Sequence, residues 1–273
     1  MNQTLKNSLH GIFSIYKPRG IHSREAASLV QLYLTAQLYE TTTPWKIKRK
    51  DRVKLGIGGI LDPGAEGVLV LGLGTGCKQL EAHLKGNKRY LATGQLGIGT
   101  DTYDNEGKII EEKPTQHITK DLLLDTLNSF RGSILQKPPL YSGVRMNGKR
   151  LYEYARQGKD LPKPIQAKTV HIYQLDLLKF QPTDMTFELD IKCGGGTYIR
   201  SLIYDMGVEM KTCAHMTSLI RTQQGTWTIE TSLPFLDINN KNNTFNRNSY
   251  KLESSTLQDQ HYLRDILNSL KYN

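Results

Sequence analysis

The chain has 273 residues, 38% of them hydrophobic and 23% charged, and 36 Lys+Arg against 26 Asp+Glu give a formal charge of +10. That length and apolar content suit one large domain with at most a small appendage, and they exclude wholesale disorder. Cys77, Cys193 and Cys213 include no C-x-x-C pair, which excludes a disulfide scaffold and a zinc ribbon and points to a reducing compartment.

In chain order, residues 11–18 (GIFSIYKP) alternate in polarity and stop at a proline, a short strand and a turn. Ser23 is placed to cap a helix over 24–39, with Ala27, Val30, Leu34 and Leu38 on one face. Residues 41–54 read as a loop: three threonines, a proline, then the run KIKRKDRVK. Residues 68–73 (VLVLGL) form a fully apolar strand, and 78–84 a short helix ending near Gly86. Residues 89–96 alternate as a strand, DNEG (104–107) turns into 108–110, and Thr119 caps a helix over 120–130 with Leu123, Leu127 and Phe130 at helical spacing. Residues 151–158 form a short helix, 169–180 and 185–193 a strand pair, and 198–210 a helix that follows Gly194–Gly195–Gly196. From 237 to 248 the chain is Asn-rich and reads as a linker, and 257–270 reads as an amphipathic helix that packs back on the body. Strands and helices mix without a βαβ rhythm, so the fold class is α+β. The expected division is a catalytic domain over 1–236, with a basic insertion at about 40–55, and a linker with a terminal helix over 237–273. No window approaches 18 uncharged apolar residues, so no membrane span is expected.

The charge is uneven. Residues 1–54 hold ten Lys/Arg against three Asp/Glu, a local +7, while the other 219 residues contribute only +3. Such a balance points to a polyanion: nucleic acid first, an anionic membrane second. The membrane reading lacks an amphipathic anchor of suitable hydrophobicity.

The densest motif is GIGGILDPGAEGVLVLGLGTG (56–76). It contains no G-x-x-x-x-G-K-[ST], and no G-x-G-x-x-G falls between a strand and a helix, so phosphate-loop readings fail. A tight loop with one carboxylate, Asp62, remains, braced by Pro63 and followed by an apolar strand. Read alone, Asp62 is most simply a turn residue. Two further stretches alter that reading: Lys88–Arg89–Tyr90, which places two cations beside a phenol, and CGGGTYIRSL (193–202), which sets Tyr198 and Arg200 just past three glycines. A buried Arg needs an acceptor and a buried Asp a cation. Together these stretches supply a carboxylate, a guanidinium and a phenol, with no metal-spaced histidines. His215 reads as a packing residue.

These segments resemble the TruB family of tRNA pseudouridine synthases. Lys17–Pro18–Arg19–Gly20, the GGILDP loop at 58–63, Lys88–Arg89–Tyr90 and GTYIRSL at 196–202 occur in the family's order, supported by PPLYSGV (138–144) and LYEYARQG (151–158). The match spans about residues 11–230. The C-G-G-G-x-Y-I-R-S-L wording, the basic insertion and the few residues after Pro234, too few for an appended RNA-binding (PUA) domain, are closer to the eukaryotic branch.

The resemblance implies the pseudouridine synthase fold, with a mostly antiparallel central sheet. It implies isomerisation of uridine 55 in the TΨC loop of tRNA without a cofactor, by a monomer. It makes Asp62 the nucleophile, Arg200 the cation that keeps Asp62 ionised, and Tyr90 the aromatic that stacks on the extruded base. Leu219 becomes an apolar wall of the base pocket, and Lys17, Lys88 and Tyr198 line the site. The basic run, with Lys48, Arg49 and Lys50, is assigned to tRNA phosphates, beside the Asp62 site in sequence. The compartment is intracellular: nucleus or mitochondrion in a eukaryote, otherwise cytoplasm. Three positions depart from the family pattern. Ile57 stands where His is usual, in the cavity left by the flipped base, and fills space without hydrogen-bonding. Glu66 replaces a small residue after the loop, an unfavourable change unless it points away or is paired, and Gly143 stands for Ala. Ile57 and Glu66 favour the alternative function, a non-catalytic tRNA-binding or tRNA-folding chaperone on the same fold.

Overall fold

A computed structural model describes residues 1–235 and 260–271. The Asn-rich stretch assigned to a linker lies outside these residues. The elements in chain order are α1 (Gln3–Ser8), β1 (Gly11–Lys17), α2 (Ser23–Tyr39), β2 (Leu55–Ile57), β3 (Glu66–Leu73), α3 (Leu80–Lys85), β4 (Lys88–Leu96), β5 (Ile98–Thr100) and β6 (Ile109–Glu112). There follow α4 (Lys120–Ser129), β7 (Gly132–Gln136), β8 (Arg145–Met146), β9 (Lys149–Arg150), α5 (Leu151–Arg156), β10 (Lys168–Gln181), β11 (Thr186–Cys193), α6 (Ile199–Glu209), β12 (Ala214–Gln224), β13 (Trp227–Thr228) and α7 (Gln260–Lys271). The chain divides into two compact units, one of residues 1–86 and 220–273, the other of residues 87–219.

In the first unit β1 runs antiparallel to β3 from Gly11↔Leu73 to Lys17↔Gly67, and β2 pairs with the far end of β3 at Ile57↔Leu71. The last residues of β12 add a short parallel pairing, Ile220↔Glu66 and Arg221↔Gly67. The expected apolar strand is β3, and it is longer than VLVLGL because Glu66 and Gly67 join it. Its residues from Gly67 onward are buried, as a run with no polar alternation requires. On it packs α2, through Ala27, Val30, Leu34 and Leu38, all buried as the helical spacing requires. The terminal helix α7 joins the same core with Leu263 and Ile266, and its Tyr262 meets Tyr33 of α2 edge to face at 5.4 Å.

Ser23 does not cap α2. His22 holds the cap position, and the Ser23 hydroxyl instead donates to the Leu61 carbonyl and accepts from the Leu61 amide, both at 2.8 Å. The hydroxyl has a tertiary partner of two complementary groups, which outcompetes the one orphan amide of its own helix. The expected loop over 41–54 contains two 3₁₀ turns, Pro44–Lys46 and Arg49–Asp51.

In the second unit the antiparallel order is β4-β11-β10-β7. The strand pair read from 169–193 is β10–β11, and Thr119 caps α4 by accepting from the Leu122 amide at 3.1 Å. Strands β7 and β12 carry no clear sequence signature. Strand β12 buries polar side chains, including His215, Arg221 and Gln224, so its pattern is neither alternating nor apolar.

Candidate active site

Asp62 sits in the loop from Gly58 to Ala65, between β2 and β3. Every main-chain carbonyl of that loop accepts a hydrogen bond from within the first unit. Gln224 Nε2 donates to Gly58 O at 2.8 Å, Arg221 donates to Gly59 O at 2.9 Å and Ile60 O at 3.3 Å, and Ser23 Oγ donates to Leu61 O. The Ala65 amide closes a turn on Asp62 O at 3.1 Å, and the Gly20 amide reaches Pro63 O at 2.8 Å. Arg19 Nε donates to Gly64 O at 3.0 Å, and Lys17 Nζ to Ala65 O at 2.7 Å. A loop of eight residues with all its carbonyls satisfied has little freedom left, and the half-buried Asp62 carboxylate is therefore aimed by the backbone.

Two fully buried cations carry much of this. Arg221 is 1% exposed and also donates to Val68 O at 2.7 Å through Nε. Its own carbonyl lies 2.3 Å from where a Cβ on Gly67 would stand, and Gly67 has φ +106°. Only glycine fits that position, on both counts. Lys17 is 0% exposed and points its ammonium at Pro18 O (2.9 Å), Pro63 O (3.4 Å) and Ala65 O. Burial pulls its pKa down to about 7, while Asp62 and Glu66 pull it back up. Three acceptors match the three N–H groups of the charged form.

Glu66 is paired. It hydrogen-bonds the Tyr16 hydroxyl, one strand over, and burial together with this carboxylate pushes Tyr16 up to about 12. With Lys17 also nearby, the extra carboxylate is accommodated inside the unit. Ile57 is half-buried in β2 and packs against the apolar core of the first unit. Lys48, Arg49 and Lys50 are exposed. Their loop is tied to the C-terminal end of α2 by Tyr39 Oη donating to Asp51 O at 3.0 Å and to the middle of the helix by Gln31 and Thr35 at Val53, whereas Leu61 is tied to the N-terminal end through Ser23. From Ser23 to Tyr39 the helix axis is about 24 Å long at 1.5 Å per residue.

In the second unit Lys88 and Tyr90 share the buried face of β4, with Tyr90 8% exposed. Arg89 points the other way and clasps Asp190 of β11, Nε to Oδ1 at 2.8 Å and Nη2 to Oδ2. Tyr198 is the residue before α6. Its amide donates to Gln136 Oε1 at 2.8 Å and its carbonyl accepts from Gln136 Nε2 at 3.0 Å, a two-point clasp on the start of the helix. Arg200, buried in the first turn of α6, donates to Thr102 O at 2.6 Å and Tyr141 O at 3.0 Å, and its Nε lies 3.5 Å from Asp104 Oδ2. Asp104 is held in turn by Thr102 Oγ1 at 2.6 Å and the Glu106 amide at 3.1 Å. Leu219 is buried in β12, and His215 Nδ1 donates to Ile98 O, 2.8 Å away.

Residues 46–199 match the family described as TruB family pseudouridylate synthase (N terminal domain). The chain belongs to this family. It is 43% identical over 224 residues to human pseudouridylate synthase TRUB1, covering 82% of this chain and 63% of that protein. The mouse protein of that name is 44% identical over 223 residues, covering 81% and 65%. The chain thus spans less than two thirds of these relatives' length. Against tRNA pseudouridine synthase B of Clostridium perfringens it is 38% identical over 230 residues, covering 84% of this chain and 72% of that protein. A chain of a Cbf5-Nop10-Gar1 complex superposes with a TM-score of 0.59 at 24% identity, over 84% of this chain and 54% of that one, a likeness of fold alone. The expected α+β pseudouridine synthase fold is what this superposition returns.

The family span begins inside the basic loop and ends one residue before Arg200. Asp62, Tyr90 and Tyr198 fall within it. Asp104, Arg221 and Gln224 were given no site role from the sequence, although each holds a site element. For Asp104 a signal existed: an acidic side chain at the head of the DNEG turn, suited to cap amides and meet a cation. For Arg221 and Gln224 the partners are carbonyls, which no residue type announces. Among the described residues no cluster of His, Cys, Asp and Glu is arranged to hold a metal, and no helix is long and apolar enough to cross a membrane.

Proposed function

We propose that this chain is a tRNA pseudouridine synthase that converts uridine 55 in the TΨC loop to pseudouridine. In this reading Asp62 is the nucleophile and Arg200 the cation that keeps it ionised. Tyr90 stacks on the extruded uracil, offsetting part of the few kcal/mol that unstacking costs, at about 1–3 kcal/mol per base. Lys88, Tyr198, Ile57 and Leu219 line the base's surroundings, and Lys17 acts one layer behind, on the Asp62 loop. The C1′–N1 bond breaks, the base turns, a C1′–C5 bond forms, C5 gives up its proton and N1 gains one. Asp62 is regenerated, so the reaction needs no oxidant, reductant or external donor.

The observation that carries the reading is the carboxylate loop. A group that must attack one atom of an extruded nucleotide needs a fixed position, and eight capped carbonyls provide it. The names of the family and its relatives support the reaction class. The test is an unmodified tRNA transcript incubated with the protein, with pseudouridine mapped by carbodiimide chemistry. Modification at position 55 is expected, abolished in Asp62→Asn while thermal unfolding and tRNA binding stay near wild type. A transcript left unmodified at high enzyme overturns the reading and leaves the chaperone alternative.

A further inference from the structure

The loop over residues 41–54 holds a feature that the Asp62 site does not use. Trp45, in the first 3₁₀ turn, is 52% exposed, and Lys46, Lys48, Arg49, Lys50 and Lys54 are exposed around it in the sequence. The loop is ordered by its own bonds. Arg52 donates through Nη2 to Trp45 O at 2.8 Å and through Nε to Ile47 O at 3.0 Å. Gln31 Nε2 holds Val53 O at 2.8 Å, and Thr35 Oγ1 receives the Val53 amide at 3.3 Å. The indole is therefore presented on a shaped backbone whose ordering cost is met before any ligand arrives.

A single exposed Trp is unremarkable by itself. Here it projects from a segment with six cations and one carboxylate, Asp51. An exposed aromatic for a base, with solvent-exposed cations close in the chain for the phosphates, is the composition of a single-strand stacking platform. An acidic protein would match the charge without using the indole. Tyr39, at the end of α2, holds this loop, whereas Ser23, at the start of the helix, holds Leu61 of the Asp62 loop.

We propose that the 41–54 loop is a second RNA-contact surface, on which Trp45 stacks against an unpaired nucleobase of the substrate RNA while Lys48, Arg49 and Lys50 hold the adjoining phosphates. It deepens the synthase reading and rests on RNA being the substrate, but not on turnover.

The protein offers its own probe, since its two tryptophans are Trp45 and the buried Trp227. Adding an unmodified tRNA transcript should quench wild-type indole emission, whereas Trp45→Phe, which reports only Trp227, should stay constant. Affinity for end-labelled tRNA should fall about 5–150-fold in Trp45→Ala, with most of it restored in Trp45→Phe, whose ring still stacks. Equal affinities for wild type and Trp45→Ala overturn the proposal, as do equal losses in the Ala and Phe variants. A spectral response to phosphatidylserine vesicles with none to tRNA also overturns it, in favour of a membrane surface. A protein that shows the quench and the affinity loss yet never forms pseudouridine leaves the platform standing and overturns only the synthase reading.

Discussion

Two loops of the first unit are shaped by the same device and end with opposite character. In residues 58–65 and in residues 41–54 an arginine donates to main-chain carbonyls of the loop: Arg221 to Gly59 and Ile60, Arg52 to Trp45 and Ile47. Arg221 is 1% exposed and its loop has a lysine behind it that is 0% exposed, while Arg52 lies at the surface among cations in solvent. Arg–carbonyl bonds fix shape in both cases, and burial decides what else the cations do. Where they are buried, their charge is committed to the backbone and to the field at Asp62. Where they are exposed, only the backbone is committed and the charge stays available to a partner.

The comparison breaks most directly at the two arginines. Arg221→Ala would strand two buried carbonyls, Gly59 and Val68, and remove a third bond at the more exposed Ile60. At roughly 1–3 kcal/mol for each unsatisfied buried group, with partial relaxation, the cost should be about 3–5 kcal/mol. Arg52→Ala exposes its carbonyls to water and should cost less than about 1 kcal/mol. Urea unfolding of both variants measures the gap, and similar losses would mean that burial is not what separates the loops.

The same contrast explains what the sequence made legible. Local signals were sufficient wherever an element answers to its own residues: Thr119 at the head of α4, the apolar run of β3, the hairpin of β10 and β11. The GGILDP wording located the carboxylate loop, because its residues are contiguous and lie within the stretch that matches the family. The framework around it was not legible. Arg221 reaches Val68 across 153 positions and Gln224 reaches Gly58 across 166. Their acceptors are carbonyls, identical at every residue, so neither composition nor spacing marks them. Ser23 was misread for the same reason, since its best partner was Leu61, 38 residues away, and not the helix it begins.

Lys17 sharpens the buried side of the comparison through pH. Its folded-state pKa lies near 7, well below the 10.5 of an exposed lysine, chiefly because burial disfavours the charge. Between those values the unfolded chain holds one more proton at this site than the folded chain. Stability should therefore rise with pH across that window, by up to about 1.4 kcal/mol per pH unit, and the penalty is full below pH 7. Tyr16 and Cys193, pushed up to about 12 and about 11, work in the opposite direction at the alkaline end. The difference between wild type and Lys17→Met, followed by urea midpoint from pH 7.5 to 9.5, isolates the lysine. Parallel pH profiles would mean that the three carbonyls and the two carboxylates keep Lys17 charged throughout.

The exposed side calls for a variant that hardly touches stability. Lys48, Arg49 and Lys50 are in solvent, so replacing all three with Ala should leave the unfolding free energy within about 0.5 kcal/mol of wild type. Its expected effect is on RNA affinity. Each phosphate contact contributes about 0.7 to the slope of log affinity against log salt on single strands, and about 0.9 on duplex. Loss of all three contacts should flatten that slope by about 2–3, with the largest affinity difference at low salt and convergence at high salt. On the proposed function, pseudouridine formation at saturating tRNA should then separate the loops: a variant of Arg221 should lower it by disturbing the aim of the Asp62 carboxylate, whereas the triple variant should not. A salt slope equal to wild type would make residues 46–54 a solvated surface, and the device shared with the Asp62 loop would serve only to fold it.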